Sequence, residues 1–353
     1  ETFGIRWYGL AYLAGLGLGY LITLQMTKKG ATLFKTEQLA DYGTYCAIGV
    51  LAGGRLGYCL FYSPELLSSV DGVFPYWGVF KVNEGGMASH GGILGVLLVA
   101  YLYGRAHKIP WLHCLDVTAL GASLGFFFGR IANFINGELF GREAPGDFSW
   151  AVKFPQEMGL WAQKKDIAKL VSLKETVEAL KEFKSSAGEL IQVKGTEFVV
   201  WAENYASDYG SRLKVQELIE AIIKAVQNHN AEVTAALGQV LTPRYPSQLI
   251  QSILEGLLVF IALLVLWRKP QKPGVIGAAF GSLYCLARIV GEQYRMPDAN
   301  IGFQLWGLTR GQWLSIAMLF VGIAFWAWAY MRPSEKLGGW LYPAAVAKER
   351  KKK

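Results

Sequence analysis

Seven apolar runs, each near the length of a membrane crossing, limit what this chain can fold into. A helix needs about 20 mostly apolar residues to cross a bilayer, and backbone exposed to hydrocarbon must satisfy its own polar groups. The runs lie at 7–26, 42–62, 88–104, 111–132, 247–267, 273–292 and 312–330. Only 18% of the residues are charged, against about 25% in soluble domains. Abundant Trp, Tyr and Phe supply the aromatic belts found at membrane interfaces. These features predict an all-α polytopic membrane protein with about seven transmembrane helices. The first apolar run has no basic segment before it and no small-residue cleavage site, so a cleavable signal peptide is not expected.

The loops predict an orientation. Lys28, Lys29 and Lys35 follow the first run, Arg105 and Lys108 the third, and Arg268, Lys269 and Lys272 the fifth; residues 348–353 form a basic tail. With seven spans all of these fall on one side, which the positive-inside rule makes cytoplasmic. The N-terminus, the loop 63–87, the long segment 143–246 and the loop 295–311 then lie outside. Arg295 and Arg310 are basic residues on the outer side and need a reason. The formal charge of +8 is spread in short clusters between apolar runs, so nucleic acid is not an expected partner. A tail of this kind suits an anionic membrane surface or is simply solvated. The four cysteines, Cys46, Cys59, Cys114 and Cys285, sit in or beside apolar runs without zinc-like spacing. They read as small hydrophobes rather than disulfide partners or metal ligands.

Residues 156–241 differ from their surroundings. They are rich in Lys and Glu, and Val215, Leu218, Ile219, Ile222, Ile223 and Val226 recur at helical spacing. Ile167, Leu170, Val171 and Val177 suggest a second helix of the same kind. The segment reads as a small, mostly helical extracytoplasmic domain inserted between a membrane part at 1–155 and another at 242–353. A long loop can cross regardless of its lysines.

Ionisable residues inside a span are expensive and mark functional sites by default. Here they are Arg55, His90, Asp116, Arg130, Glu138, Glu255, Arg288 and Glu292. Tyr8 and His90 open spans at their outer ends. Arg130, Asn133 and Glu138 lie where the fourth span leaves the membrane, and Arg288, Glu292 and Arg295 where the sixth leaves it. Four distant segments thus place polar groups at similar outer depth, as one site near the outer leaflet requires. The densest stretch runs Gly129-Arg130-Ile131-Ala132-Asn133-Phe134-Ile135-Asn136-Gly137-Glu138-Leu139-Phe140-Gly141-Arg142. Its arginines offer planar donor forks suited to phosphate oxygens, and its asparagines both donate and accept. An interfacial anchor followed by a turn is the blander reading. Arg288, Glu292 and Arg295 share one helix face, as a site or as an ion pair locking the bundle. His90 is a candidate base or a polar helix start. Arg55 needs a partner, for which Glu255 and Asp116 are candidates, and structural roles are expected for all three. His107, His113 and His229 read as structural or solvated.

These motifs resemble the bacterial prolipoprotein diacylglyceryl transferase family. Residues 129–142 fit its Gly-Arg-x-x-Asn-Phe-x-Asn-Gly-Glu-x-x-Gly-Arg signature throughout. Trp7-Tyr8-Gly9-Leu10, His90-Gly91-Gly92 and Gly311-Gln312-Trp313-Leu314-Ser315 match further elements. Arg295-Met296-Pro297-Asp298 matches an Arg-Pro-Asp element with one residue inserted. The resemblance covers most of 5–155 and 242–330. Two departures stand out: the segment 156–241 is longer than the family's usual loop, and the family's Pro-Ser-Gln-Leu-Tyr-Glu reads Pro246-Ser247-Gln248-Leu249-Ile250-Gln251.

The resemblance implies transfer of the diacylglyceryl group of phosphatidylglycerol to the lipobox cysteine of a prolipoprotein signal peptide, with release of glycerol phosphate. It implies no metal and no cofactor. By matching positions, Arg130 and Arg288 take the phosphate and its developing charge, and His90 is the candidate base for the thiol. Tyr8, Asn133, Asn136, Glu138, Gly141, Tyr284, Glu292 and Arg295 line and orient the site; Glu138 and Glu292 serve equally well as holders of the arginines. The alternative from another class is a transporter with a polar outward-facing site. Transporters often centre such groups at the midplane between repeated halves, whereas these gather at outer helix ends and no halves match.

Overall fold

The structure, a computed structural model, describes residues 7–70, 72, 74–81, 85–185, 188–297 and 301–341. Asp298 of the Arg-Pro-Asp element and the basic tail 348–353 lie outside the described residues. The chain divides into two compact units: residues 1–132, 250–293 and 297–353 form one, and residues 133–249 with 294–296 form the other.

The membrane unit is helical. Each apolar run falls on a helix: Trp7–Lys28, Thr36–Phe61, Ser89–His107, Trp111–Ile135, Ser247–Leu266, Val275–Gly291 and Arg310–Met331. Five of these are long and apolar enough to cross a membrane. Val275–Gly291 is shorter, at 17 residues, and Ser89–His107 carries Ser89, His90, Arg105 and His107 in its end turns. Large apolar side chains stand outward along the spans, with Leu13 70%, Leu94 63% and Phe320 70% exposed. Such a surface requires hydrocarbon as its solvent, so the chain is an all-α polytopic membrane protein.

Lipid is as apolar as leucine, so helices in a bilayer associate by close packing of small residues. Two glycine pairings do this. A Cβ on Gly15 would stand 3.0 Å from the Gly125 Cα, and one on Gly19 2.9 Å from the Gly121 Cα. These glycines lie four apart on the first and fourth spans. Between the second and third spans, a Cβ on Gly57 would meet the Gly91 Cα at 2.9 Å, and one on Gly53 would collide with the Gly91 carbonyl. The backbones touch, and nothing larger than glycine fits between them.

Arg55 and Asp116 correct the expected pairing. Arg55 is buried and binds carbonyls rather than a carboxylate: Nε donates to Val79 O (2.8 Å), Nη2 to Gly78 O (2.7 Å) and Nη1 to Gly85 O (2.6 Å) and Gly86 O (3.2 Å). A guanidinium has enough donors to hold both sides of the loop that leads into the third span. Asp116 accepts from Gly274 N and Gly277 N, each at 2.8 Å. It therefore satisfies orphan amides at the start of the sixth span, where the helix dipole favours a negative charge. His113, 1% exposed, accepts from Leu33 N at 3.1 Å and meets the Trp267 ring edge-on.

The second unit has its own core. The helix Tyr209–Gln227 buries Val215, Leu218, Ile219 and Ile222, as its spacing predicts, and Asp208 caps it by accepting from Ser211 N. Hydrogen bonding from the Ser211 side chain and backbone lowers the Asp208 pKa. The helix expected around Ile167–Val177 is two, Ile167–Val171 and Lys174–Leu180. A turn at Ser172–Leu173 separates them and allows Leu170, Leu173 and Val177 all to be fully buried. Glu182–Lys184 and Leu190–Gln192 form a small antiparallel hairpin.

The glycine pairing gives a direct test. Gly53→Val is expected to lower thermal stability in detergent by about 1–3 kcal/mol, the usual cost of overpacking. Gly43→Val, in the same helix but with nothing within 4 Å of its Cβ position, carries the same β-branched penalty without the collision and should stay close to the parent. Equal melting temperatures for the two variants would refute tight packing at Gly53.

Candidate functional site

Three helices of the membrane unit meet at one buried carboxylate. Glu255 is 0% exposed and lies in the π-helical turn Ser252–Leu258 of the fifth span. Such turns re-aim a side chain and recur at functional sites. The turn sits directly on the fourth span: a Cβ on Gly256 would be 2.6 Å from Phe127 backbone atoms, and Ser252 Oγ donates to Phe127 O at 2.8 Å.

Glu255 Oε2 accepts from Arg130 Nη2 at 2.9 Å and from Nε at 3.3 Å. Its Oε1 lies 3.6 Å from Arg288 Nη1. Arg288 Nη2 in turn meets Glu292 Oε1 at 2.9 Å, one helical turn on. One turn before Arg288, the Tyr284 ring stacks on Phe126 at 4.5 Å. The second Glu292 oxygen accepts from Thr309 Oγ1 at 3.0 Å.

The Gly-Gln-x-Leu-Ser element gains a physical meaning here. Thr309 and Gln312 form a capping box at the start of the last span, and Gln312 Nε2 also donates to Ile289 O at 3.2 Å. A Cβ on Gly311 would press within 2.9 Å of the Glu292 carboxylate. The element thus seats the last helix against Glu292.

The cluster holds two guanidiniums and two carboxylates. Side-chain exposure is 11% for Arg130 and 19% for Arg288, against 0% for Glu255 and 4% for Glu292. The carboxylates are sealed, while the arginines are partly exposed and each has N–H donors that no carboxylate takes. An anion with oxygens at two positions fits such donors.

The remaining site residues are distributed as follows. Tyr8 opens the first span and stacks on Tyr12 at 6.5 Å. His90 is the second residue of the third span; it is exposed and makes no hydrogen bond or ion pair with the described residues. Asn133, Asn136, Glu138, Gly141 and Arg295 belong to the second unit. There Asn133 Nδ2 faces Glu138 Oε2 at 3.5 Å, and a turn through Gly137, φ +64°, reverses the chain. Gly141 pairs antiparallel with Arg295, and a Cβ on it would run into the Tyr245 carbonyl. Ser247 Oγ donates to Leu139 O (3.1 Å), Gln248 Nε2 to Glu138 O (2.5 Å) and Arg244 Nη1 to Gly141 O (3.0 Å). The Pro-Ser-Gln element thus straps the backbone of the signature stretch.

Arg130, Arg288, Glu292 and Tyr284 lie together around Glu255. Glu255, expected only as a structural partner for Arg55, is the residue the motif reading missed. Its signal was present, since a carboxylate inside an apolar run demands a cation, but spacing alone could not say which.

A family model described as prolipoprotein diacylglyceryl transferase matches residues 1–328. The chain is similar to the phosphatidylglycerol–prolipoprotein diacylglyceryl transferase of Bdellovibrio bacteriovorus, with 43% identity over 349 residues covering 99% of this chain and 96% of the relative. Proteins of the same description from Neisseria meningitidis and Burkholderia cenocepacia are 34% identical over 322 residues and 35% over 331. They cover 90% and 93% of this chain and 89% and 92% of themselves.

Removing one partner of a buried ion pair leaves the other charge unmatched, at about 3–5 kcal/mol. Glu255→Gln strands part of the charge of both arginines. It is expected to lower the detergent melting temperature more than Glu138→Gln, whose side chain is exposed. A melting temperature equal to that of the parent would show that Glu255 does not carry the cluster.

Proposed function

The chain belongs to the prolipoprotein diacylglyceryl transferase family, and from that premise we propose that it transfers the diacylglyceryl group of phosphatidylglycerol to the lipobox cysteine of a prolipoprotein. The sulfur forms a thioether with the glyceryl carbon, the carbon–oxygen bond to phosphorus breaks, and glycerol phosphate leaves. The observation that carries this reading is the pair of guanidiniums, Arg130 and Arg288, oriented by buried carboxylates at positions matching the family's motifs.

Three requirements follow from the chemistry. The leaving phosphate gains charge, and preorganised donors stabilise charge as it develops. Arg130 and Arg288 supply them, with their geometry already fixed by Glu255 and Glu292. The thiol must lose its proton, because the thiolate is the nucleophile. His90 is assigned as the base, supported by its place in the matched His-Gly-Gly element and by its exposed side chain. The lipid and the signal helix must both be bound, a task assigned by motif to Tyr8, Tyr284, Asn133, Asn136, Glu138, Gly141, Glu292 and Arg295.

The orientation belongs to the same reading. Basic loops after the first, third and fifth spans support a cytoplasmic C-terminus, an outside N-terminus and an extracytoplasmic inserted domain in a bacterial inner membrane. The inserted domain has its own core and lacks the matched motifs beyond its flanks, so the chemical step does not require residues 156–241.

Two measurements test this. Arg130→Lys and Arg288→Lys should each lower the rate of transfer from labelled phosphatidylglycerol to a lipobox peptide by about a hundredfold or more, because a point charge replaces a planar fork. Near-parent turnover in either variant removes that arginine from the phosphate site. For orientation, single cysteines replacing Lys29, Lys184 and Lys336 are probed with an impermeant maleimide on intact inner-membrane spheroplasts. Labelling is expected at 184 alone; labelling at 29 or 336 inverts the topology.

A further inference from the structure

Gln251 is out of place as a structural residue. It is 0% exposed, and neither Oε1 nor Nε2 has a hydrogen-bond partner among the described residues. Leaving such a group unmatched is costly, and native folds keep few of them. Gln312 shows what a structural glutamine does in the same unit: it is 1% exposed, its Oε1 accepts from Thr309 N, and its Nε2 donates to Ile289 O.

The position of Gln251 is informative. It precedes Glu255 by four residues along the fifth span. Across from it lies Gly291, between Arg288 and Glu292. A Cβ on Gly291 would stand 3.0 Å from Gln251 Cγ, 3.6 Å from its Nε2 and 3.4 Å from Glu255 Oε1. The unmatched amide therefore borders the ion cluster.

Its chemistry selects a partner. A donor and an acceptor left unmatched on one planar group call for a partner that also gives and takes, which is a hydroxyl. Phosphate and ester oxygens only accept, and the guanidiniums already serve them.

Resting on the reading that phosphatidylglycerol is the lipid donor, we propose that Gln251 binds the headgroup glycerol hydroxyls and makes the enzyme select this lipid over one with an alkyl headgroup. In the reaction Gln251 holds the departing glycerol phosphate at its hydroxyl end while Arg130 and Arg288 hold its phosphate. It takes no proton and forms no bond to the reacting carbon.

The test compares two donors, phosphatidylglycerol and phosphatidylpropanol, which differ only in the headgroup hydroxyls. Transfer to a lipobox peptide releases glycerol phosphate from one and propyl phosphate from the other. The parent enzyme is expected to favour phosphatidylglycerol by about tenfold or more in kcat/KM, since a site built to bond a hydroxyl rejects its absence. Gln251→Met, of similar length and without donors, should lose activity on phosphatidylglycerol alone, so that the two donors become equivalent. Gln251→Asn, whose amide falls one methylene short, should do the same and replaces the Met variant if that does not fold. Equal use of both donors by the parent overturns the assignment without touching the transferase reading, and so does an equal loss on both donors in the variants. No transfer from phosphatidylglycerol by the parent overturns the transferase reading and this assignment with it.

Discussion

Burying the Glu255 carboxylate would be prohibitive without cations, since the desolvation of an unpaired ion amounts to several kcal/mol or more. Two guanidiniums from different helices meet that demand. Arg130 takes one oxygen with two donors and Arg288 approaches the other. Neither arginine is stable there alone, for the same reason. The cluster therefore couples the fourth, fifth and sixth spans, and Glu292 extends the coupling to the last span through Thr309. The ions fix how far each helix reaches and how it is rotated about its axis.

Close approach of the helices follows from that requirement. Charged groups with short remaining reach can meet only if the backbones come together, and glycine permits this. Gly256 lies against Phe127, Gly291 against Gln251, and Gly311 against the Glu292 carboxylate. Farther from the cluster the same device holds the first span to the fourth and the second to the third. In lipid no hydrophobic gain rewards such contacts, so packing of small residues and polar pairing must supply the association between them.

Much of this was legible in the sequence. The apolar runs located the helices, and the period of Val215 to Ile222 located a buried face. The motif spacing singled out Arg130, Arg288 and Glu292. What was not legible depended on through-space partners. Arg55 and Glu255 looked like a pair because both are charged and intramembrane, but Arg55 is satisfied by carbonyls and Glu255 by other arginines. Sequence spacing carries no information about which helix lies beside which. The break at Ser172–Leu173 was hidden because the apolar period continues across it.

The charge balance of the cluster bears on how it can act. A phosphodiester carries about one negative charge, and the departing phosphate monoester gains a second as its bond to carbon breaks. Guanidiniums already matched by carboxylates attract the ground-state lipid less than bare cations would. On the proposed reading they still present fixed N–H donors where charge develops. Interactions stronger in the transition state than in the ground state raise the rate, whereas tight binding of both does not. Glu255 and Glu292 thus do more than keep the arginines folded: they hold the donor edges rigid, so little reorganisation remains for the moment of bond breaking. The neutral Gln251 amide fits that balance, because it adds hydrogen-bonding capacity beside the ions without shifting their charge.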